Sequence, residues 1–86
     1  MTQERTLVTF ALFAYNQDKY IREAIEGALC QDYSPLDIIL SDDCSTDDTF
    51  IIMQKMALKY TGVNKIRLNR NDVNLGLAEH INKIIS

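Results

Sequence analysis

A continuous run of apolar and β-branched residues, TLVTFALF at positions 6–13, constrains the fold of this chain most strongly. Polar segments bound the run on both sides. Its composition is typical of a strand that is buried on both faces, and such strands occur in parallel sheets covered by helices. The run therefore predicts a central strand of a parallel sheet, starting at Thr6 and ending at Phe13.

The residues after this strand predict an amphipathic helix and a second strand. One helix face carries Ile21, Ala24, Ile25, Ala28 and Leu29. Their spacing is that of a single buried face, and Asp18 is placed to cap the start of the helix. The helix should end at Ser34 and Pro35, because the residue before proline avoids helical angles, and residues 37–41 then predict a strand. A strand, a helix and a strand at this spacing predict a right-handed parallel crossover.

The second half of the chain repeats this alternation. The buried stripe of a second helix is formed by Phe50, Met53, Ala57 and Tyr60. Ser45 and Asp48 have the spacing of a capping box at its start. Residues 65–68 predict a short third strand, and a polar loop at residues 69–74 leads to Gly76 and a third helix. The apolar face of that helix carries Leu77, Ala78, Ile81, Ile84 and Ile85.

Together these elements predict an α/β fold with the order β-α-β-α-β-α, in which a mostly parallel sheet lies between helices as a three-layer sandwich. The 86 residues suffice for one domain with a small core. Because three strands leave the last helix poorly covered, we expect residues 1–86 to be the truncated N-terminal part of one larger Rossmann-like domain.

Composition narrows the classes of function. The formal net charge is -3 and the nine basic residues are dispersed, whereas a nucleic-acid surface needs clustered Lys and Arg, so no nucleic-acid partner is expected. The sequence has no apolar stretch long enough to span a bilayer and no signal segment, so we expect a cytoplasmic protein without a transmembrane segment. Two cysteines and one histidine match neither a disulfide framework nor a zinc-ligand pattern.

An acidic run at residues 42–49 directly follows the second strand and begins with Asp42 and Asp43. In open parallel sheets, ligands bind in the crevice outside the carboxyl ends of the strands. Adjacent side chains diverge, so one carboxylate is expected to face the crevice while the other shapes the turn. The alternative is that both carboxylates only build the turn and cap the next helix.

Other polar residues are expected at the same edge of the sheet. Tyr15 and Asn16 follow the first strand, and the tyrosine ring could stack on a planar base while Asp43 accepts an imide N–H, the group that uracil presents. Asn74 and Gly76 form a third element there. His80 has no ligand partner at metal spacing and is expected at the surface or rim of the last helix.

The start of the second helix limits how a phosphate could bind. Asp47 and Asp48 place two carboxylates there, and the sequence has no glycine-rich phosphate loop. A nucleoside diphosphate would therefore need a divalent cation to meet its charge. Two adjacent carboxylates, Asp42 and Asp43, are too few to hold that cation alone.

The order and spacing of these segments resemble the N-terminal sequence of the family 2 glycosyltransferases, a large group with the GT-A fold. The matching positions are Tyr15, Asn16, residues 18–21, residues 31–33, Asp37, residues 42–49, residues 74–78 and Asn82. The resemblance covers nearly the whole chain. It departs from the family at Cys44, where glycine or another small residue is usual.

The resemblance implies a transferase that moves a sugar from a nucleoside diphosphate sugar, commonly a UDP-sugar, to a saccharide or other acceptor with the help of a divalent cation, Mn or Mg. It also implies that Asp43 bonds the uracil imide. The donor-nucleotide residues expected here are Phe13, Tyr15, Asn16, Asp42, Asp43, Asn74 and Gly76. The family's metal-binding Asp-x-Asp motif and its catalytic base have no counterpart in residues 1–86, so this chain should be inactive alone.

Two rival interpretations stay open. A regulatory module of the receiver type also uses carboxylates at strand ends, but its acidic pair follows the first strand and its sheet needs further strands. A non-catalytic interaction module would present the first strand as an open sheet edge, through which two copies could dimerise. As a transferase, the protein is expected in the cytoplasm or at the cytoplasmic face of a membrane.

Overall fold

The computed structural model of this chain describes residues 7–30, 36–62 and 64–85. Its elements are β1 (Val8–Ala14), α1 (Ile21–Leu29), β2 (Leu36–Asp42), α2 (Thr49–Lys59), β3 (Lys65–Arg70) and α3 (Leu77–Ile85). The predicted α/β class and the alternating order are confirmed. The expected strand start at Thr6 and the expected helix end at Ser34 and Pro35 lie outside the described residues.

The described strands form one parallel sheet in the order β1-β2-β3. Ala14, Asp42 and Arg70 are register partners at the ends of these strands, so the loops that follow lie side by side along one edge. The prediction that the first strand is central is wrong for the described residues. β2 is central, whereas β1 pairs on one side only and Val8 at its start is 43% exposed.

Alternation of side chains along β2 separates the two faces of the sheet. Ile38 and Leu40 point to one face and pack into the core with α1 and α2, while Ser41 points to the other face and bonds His80 of α3. Helices therefore flank both faces, as predicted. The buried core consists of Ala14, Ile21, Ile25, Leu36, Ile38, Leu40, Met53 and Met56. Burial of each larger apolar side chain stabilises the fold by about 1.5–3 kcal/mol.

The helix starts differ from the sequence-based prediction. α1 begins after Tyr20 without a side-chain cap, and Asp18 instead donates its backbone N–H to a carboxylate oxygen of Asp47 at 3.2 Å. α2 begins after Asp48, also without a side-chain cap bond, so the predicted capping box is wrong. The reason is that the Ser45 hydroxyl turns back to the end of β2 and bonds Asp42.

The buried helix faces are also rotated slightly from the predicted ones. In α1, Ala24 is exposed. In α2 the buried residues are Thr49, Met53 and Met56, whereas the predicted Phe50 and Ala57 are partly buried, as is Tyr60 just after the helix. In α3, Leu77 is 66% exposed while His80 is buried. None of the helices in the described part of the chain has the length and apolarity that crossing a membrane requires.

Candidate functional site

The two carboxylates at the end of β2 lie on opposite sides of the sheet, because successive residues of a strand alternate in direction. Asp42 is fully buried on the side of α1 and α2. It accepts hydrogen bonds from the backbone N–H of Ser45 at 2.9 Å and from the Ser45 hydroxyl. Its Oδ2 also lies 3.7 Å from Nε of Arg70. The carboxylate oxygens of Asp42 are thus used for bonds within the turn.

Asp43 is buried on the opposite side, against the start of α3, with 3% of its surface exposed. Its Oδ1 accepts bonds from the Asn71 amide and from the backbone N–H of Leu75, both at 2.8 Å. Its Oδ2 accepts one bond, from the backbone N–H of Gly76 at 2.9 Å. A carboxylate offers about four acceptor positions. Among the described residues, these bonds therefore leave one acceptor position, on Oδ2.

The same bonds keep Asp43 ionised. Burial alone would raise the pKa of this carboxyl group, but the hydrogen bonds from Leu75, Asn71 and Gly76, with a smaller electrostatic contribution from His80, hold its pKa below the ordinary value of 3.8. Asp43 is therefore a carboxylate at neutral pH and an acceptor of hydrogen bonds, not a donor.

A pocket of about 470 Å³ opens beside Asp43, within the size range of small-molecule sites. It is lined by Phe13, Ala14, Tyr15, Gln17, Asp43, Asn74, Gly76, Leu77 and His80. Five of the seven residues expected from the sequence are in this lining, and Asn16 and Asp42 are not. Tyr15 is 41% exposed at the pocket, so its ring is accessible to a ligand.

The loop before α3 closes one side of this pocket around Gly76. This residue has φ +80°, a left-handed conformation that suits glycine. Its backbone N–H is shared between Asp43 and the side-chain oxygen of Asn74, each at 2.9 Å. Asn74 thus builds the loop in addition to lining the pocket.

Asn16 belongs to a second cluster, which we call the loop clamp. Here the consecutive backbone N–H groups of residues 16, 17 and 18 donate to side chains of the acidic run. Asn16 donates to Ser45 Oγ at 2.8 Å and Gln17 to Thr49 Oγ1 at 2.8 Å, and the Asp18 bond to Asp47 completes the set. In return, the Asn16 side-chain oxygen accepts the backbone N–H of Thr46 at 2.8 Å.

Asp47 is the charged member of the loop clamp. Burial would raise the pKa of Asp47, but bonds from the hydroxyl and backbone N–H of Thr49, together with those from Asp18, hold it below 3.8. The loop clamp therefore joins the loop after β1 to the loop after β2. Most polar side chains of the acidic run are used in this way for structure.

The prediction that His80 lies at the surface or rim is wrong. Its side chain is 1% exposed, and Nε2 lies 2.5 Å from the hydroxyl of Ser41. The ring also meets Phe13 edge-on, with centroids 4.8 Å apart and an interplanar angle of 81°. The helical spacing between His80 and the partly buried Ile84 was a sequence signal for this burial, since residues four apart share a helix face.

Sequence analysis also missed Asn71, which is 2% exposed. Its side chain donates to Asp43 and accepts bonds from Lys83 at 2.7 Å and from the Asn69 amide at 3.1 Å. Nothing in a polar loop sequence distinguishes such a residue from its exposed neighbours. Asn71 thus fixes Asp43 and connects it to α3.

The described residues do not form a metal site. They contain no group of three or more His, Cys, Asp and Glu side chains placed to hold an ion. Asp42 is bonded to Ser45, and Asp43 is bonded to the loop before α3. The divalent cation expected from the resemblance does not fit these two carboxylates, and we assign it no step here.

Comparison with known proteins gives one family over most of the chain. The model described as Glycosyl transferase family 2 matches residues 9–86. EpsE of Bacillus subtilis is 35% identical over 79 residues, covering 92% of this chain and 28% of EpsE. Two Escherichia coli proteins also match. One, named UDP-Glc:alpha-D-GlcNAc-diphosphoundecaprenol beta-1,3-glucosyltransferase WfaP, is 44% identical over 50 residues. The other, named chondroitin synthase, is 45% identical over 49 residues. These matches cover 58% and 57% of this chain, and 20% and 7% of those proteins, so the chain spans a minor part of their length.

Proposed function

We propose that this chain, which belongs to glycosyl transferase family 2, binds the nucleoside of a nucleoside diphosphate sugar for a protein that transfers the sugar to an acceptor. The observation that carries the proposal is the pocket in which an ionised, buried Asp43 lies beside the accessible ring of Tyr15. Family membership supports the transfer reaction. The pocket supports the nucleoside as the part of the donor that these residues bind.

The remaining acceptor position of Asp43 fits the imide N–H of uracil better than the ring edge of cytosine or guanine. Uracil presents a single imide N–H between two carbonyl groups, which matches one free acceptor on Oδ2. Cytosine has no N–H at that ring position, and guanine presents two adjacent donors. A relative whose name includes UDP-Glc is consistent with this choice.

Tyr15 supplies the second contact in this proposal. A base that bonds Asp43 can stack on the exposed tyrosine ring, and stacking of a base on an aromatic side chain contributes about 1–3 kcal/mol. The chain's own residues thus bind and orient the nucleoside. The diphosphate, the cation and the acceptor would be handled by residues outside this pocket, so we expect no sugar transfer by residues 1–86 alone.

A ligand series tests this proposal without altering the protein. Binding of uridine, 3-methyluridine and cytidine is measured by calorimetry on the intact protein. We expect uridine to bind at least about tenfold more tightly than the other two, because a lost bond to a charged acceptor costs about 1.5–3 kcal/mol. Equal binding of uridine and 3-methyluridine would contradict the role of Asp43.

A matched pair of variants assigns the effect to one carboxylate. Asp43→Asn should remove the preference for uridine over 3-methyluridine, because the side chain no longer has a free anionic acceptor. Asp48→Asn makes the same chemical change in the same acidic run, but Asp48 is exposed and lies outside the pocket lining. It should leave the preference intact.

A further inference from the structure

The carboxylate of Asp43 is held by bonds from two different parts of the molecule. Leu75 and Gly76 donate from the loop before α3, whereas Asn71 donates from the position directly after β3. The two loop bonds alone would let the carboxylate move with the loop. Asn71 is tied to the sheet, because its backbone N–H donates to the carbonyl oxygen of Asp42 at 2.9 Å. Of these bonds, the one from Asn71 therefore fixes Oδ1 relative to the sheet.

The side-chain amide of Asn71 has one orientation that satisfies its charged partners. One end lies 2.7 Å from the ammonium group of Lys83 and 3.1 Å from the amide nitrogen of Asn69, and the other lies 2.8 Å from Oδ1 of Asp43. An ammonium group only donates hydrogen bonds, and an ionised carboxylate only accepts them. The carbonyl end therefore faces Lys83 and the NH₂ end faces Asp43. Asn71 is 2% exposed, so little water can replace these partners.

Lys83 is the partner that decides this orientation. The Asn69 amide has a donor end and an acceptor end, and its other partner, the Ser41 hydroxyl, can donate or accept, so neither group imposes a direction. Lys83 carries donors only. It lies about two turns after the start of α3 and is not among the residues that line the pocket. A change at Lys83 therefore reaches the pocket through Asn71.

We propose that Lys83 and Asn71 are positioning residues for base recognition. Lys83 fixes the Asn71 amide, and this amide holds Oδ1 of Asp43 so that the last acceptor position, on Oδ2, keeps its place beside the base. The inference rests on the proposed function, because it takes a base as the ligand of Asp43. It extends the requirements of recognition to a cation outside the pocket.

Loss of the ammonium group explains how this cation acts. Without Lys83, the reversed amide becomes accessible, and its carbonyl oxygen then faces Oδ1 of Asp43. Two oxygens that both accept hydrogen bonds repel each other, so the carboxylate turns and Oδ2 leaves its position. The imide N–H of uridine then loses a well-aligned acceptor. A ligand that makes no bond to Asp43 is not affected in this way.

The experiment uses Lys83→Met, which removes the charge and the donors but keeps an unbranched side chain at an exposed position. Calorimetry on the intact protein gives the affinities for uridine and 3-methyluridine. Uridine affinity should fall about threefold to tenfold, the effect of one hydrogen bond. Affinity for 3-methyluridine should not change, because its methyl group already removes the bond to Asp43. A loosened α3 would instead weaken both ligands, since Gly76 and Leu77 line the pocket.

Lys55→Met is the matched control. It makes the same change of side chain and net charge at an exposed position of α2, outside the pocket lining. The ratio of the two affinities should equal that of the original protein. An unchanged ratio in Lys83→Met would overturn the positioning role. An equal reduction in both variants would overturn it as well, because net charge would then be the cause.

A measurement without ligand tests the orientation of the amide directly. Hydrogen exchange of the Asn71 side-chain NH₂ group, followed by NMR, should be slow in the original protein, because this group is buried and bonded to Asp43. In Lys83→Met the exchange should be at least about tenfold faster, since the reversed amide has lost that bond. Equal exchange rates would overturn the proposal.

The outcomes separate the two hypotheses. If the original protein binds uridine and 3-methyluridine alike, the proposed function fails. If the original protein discriminates between them and Lys83→Met discriminates equally well, only the role of Lys83 and Asn71 fails.

Discussion

Asp42 and Asp43 are neighbours in sequence, yet they belong to regions of the molecule with different properties. On the side of Asp42, the turn and the loop clamp bond Ser45, Asp47 and Thr49 within the chain. On the side of Asp43, three bonds leave one acceptor position beside an open pocket. The first region is satisfied by bonds within the chain, and the second keeps one acceptor position for the ligand that we propose.

The difference shows that residue type alone does not distinguish a carboxylate used within a turn from one that lines a pocket in this chain. Both sides use buried carboxylates at the carboxyl edge of a parallel sheet. Position relative to the strand decides between them, because alternation sends Asp42 toward the crowded α1 and α2 layer and Asp43 toward the start of α3. Substitutions on the two sides should therefore change different quantities.

The largest effect is expected for Asp42→Ala, which should lower the free energy of unfolding by about 3 kcal/mol. The substitution leaves the buried N–H and hydroxyl of Ser45 without their acceptor. Urea unfolding measures the change. Asp48→Ala, at an exposed position, is the control and should stay within about 0.5 kcal/mol of the original protein. A similar loss in both variants would contradict a specific role for Asp42 in the turn.

A smaller effect, on affinity instead of stability, is expected for Tyr15→Ala. Loss of base stacking should weaken uridine binding by about 1–3 kcal/mol, while unfolding changes little because the ring is 41% exposed. Calorimetry and urea unfolding are measured on the same sample. Tyr20→Ala removes a tyrosine that is 66% exposed and outside the pocket lining, and it should not change affinity. Equal affinity losses in the two variants would argue against stacking on Tyr15.

The smallest effect is expected at Cys44, between the two regions. This residue has φ +63°, which costs an L-residue about 1 kcal/mol relative to glycine. Cys44→Gly should raise the free energy of unfolding by at most about 0.5 kcal/mol, because glycine also gains entropy in the unfolded chain. Cys44→Val should lower the free energy of unfolding. If Cys44→Val were instead more stable than Cys44→Gly, backbone strain at this position would be unimportant.

Much of this architecture could be predicted from the sequence because it depends on local patterns. Apolar runs and helical periods gave the order of the elements, and the strand ends gave the edge at which Tyr15, Asp43 and Asn74 meet. Bonds between distant residues were not predictable in this way. Ser45 fits a local capping box equally well, and it bonds Asn16 and Asp42 instead because the sheet brings those residues close.

The misplacement of His80 has a related cause. The rotation of α3 about its axis depends on which residues meet the sheet, and the polar Ser41 on β2 provides a partner for a buried imidazole. The apolar face of α3, as read from the sequence, contains no information about that partner. Asn71 was missed for the same reason, since its partners Asp43 and Lys83 lie on other elements.

The bonds from Leu75 and Gly76 to Asp43 have an evolutionary consequence. The carboxylate that we propose for base recognition also anchors the first residues before α3, so two selective pressures act on one position. A descendant that changed its preferred base could not begin by replacing Asp43 without weakening the attachment of the helix. Change would have to start at a neighbouring position such as Tyr15, whose substitution leaves that attachment in place.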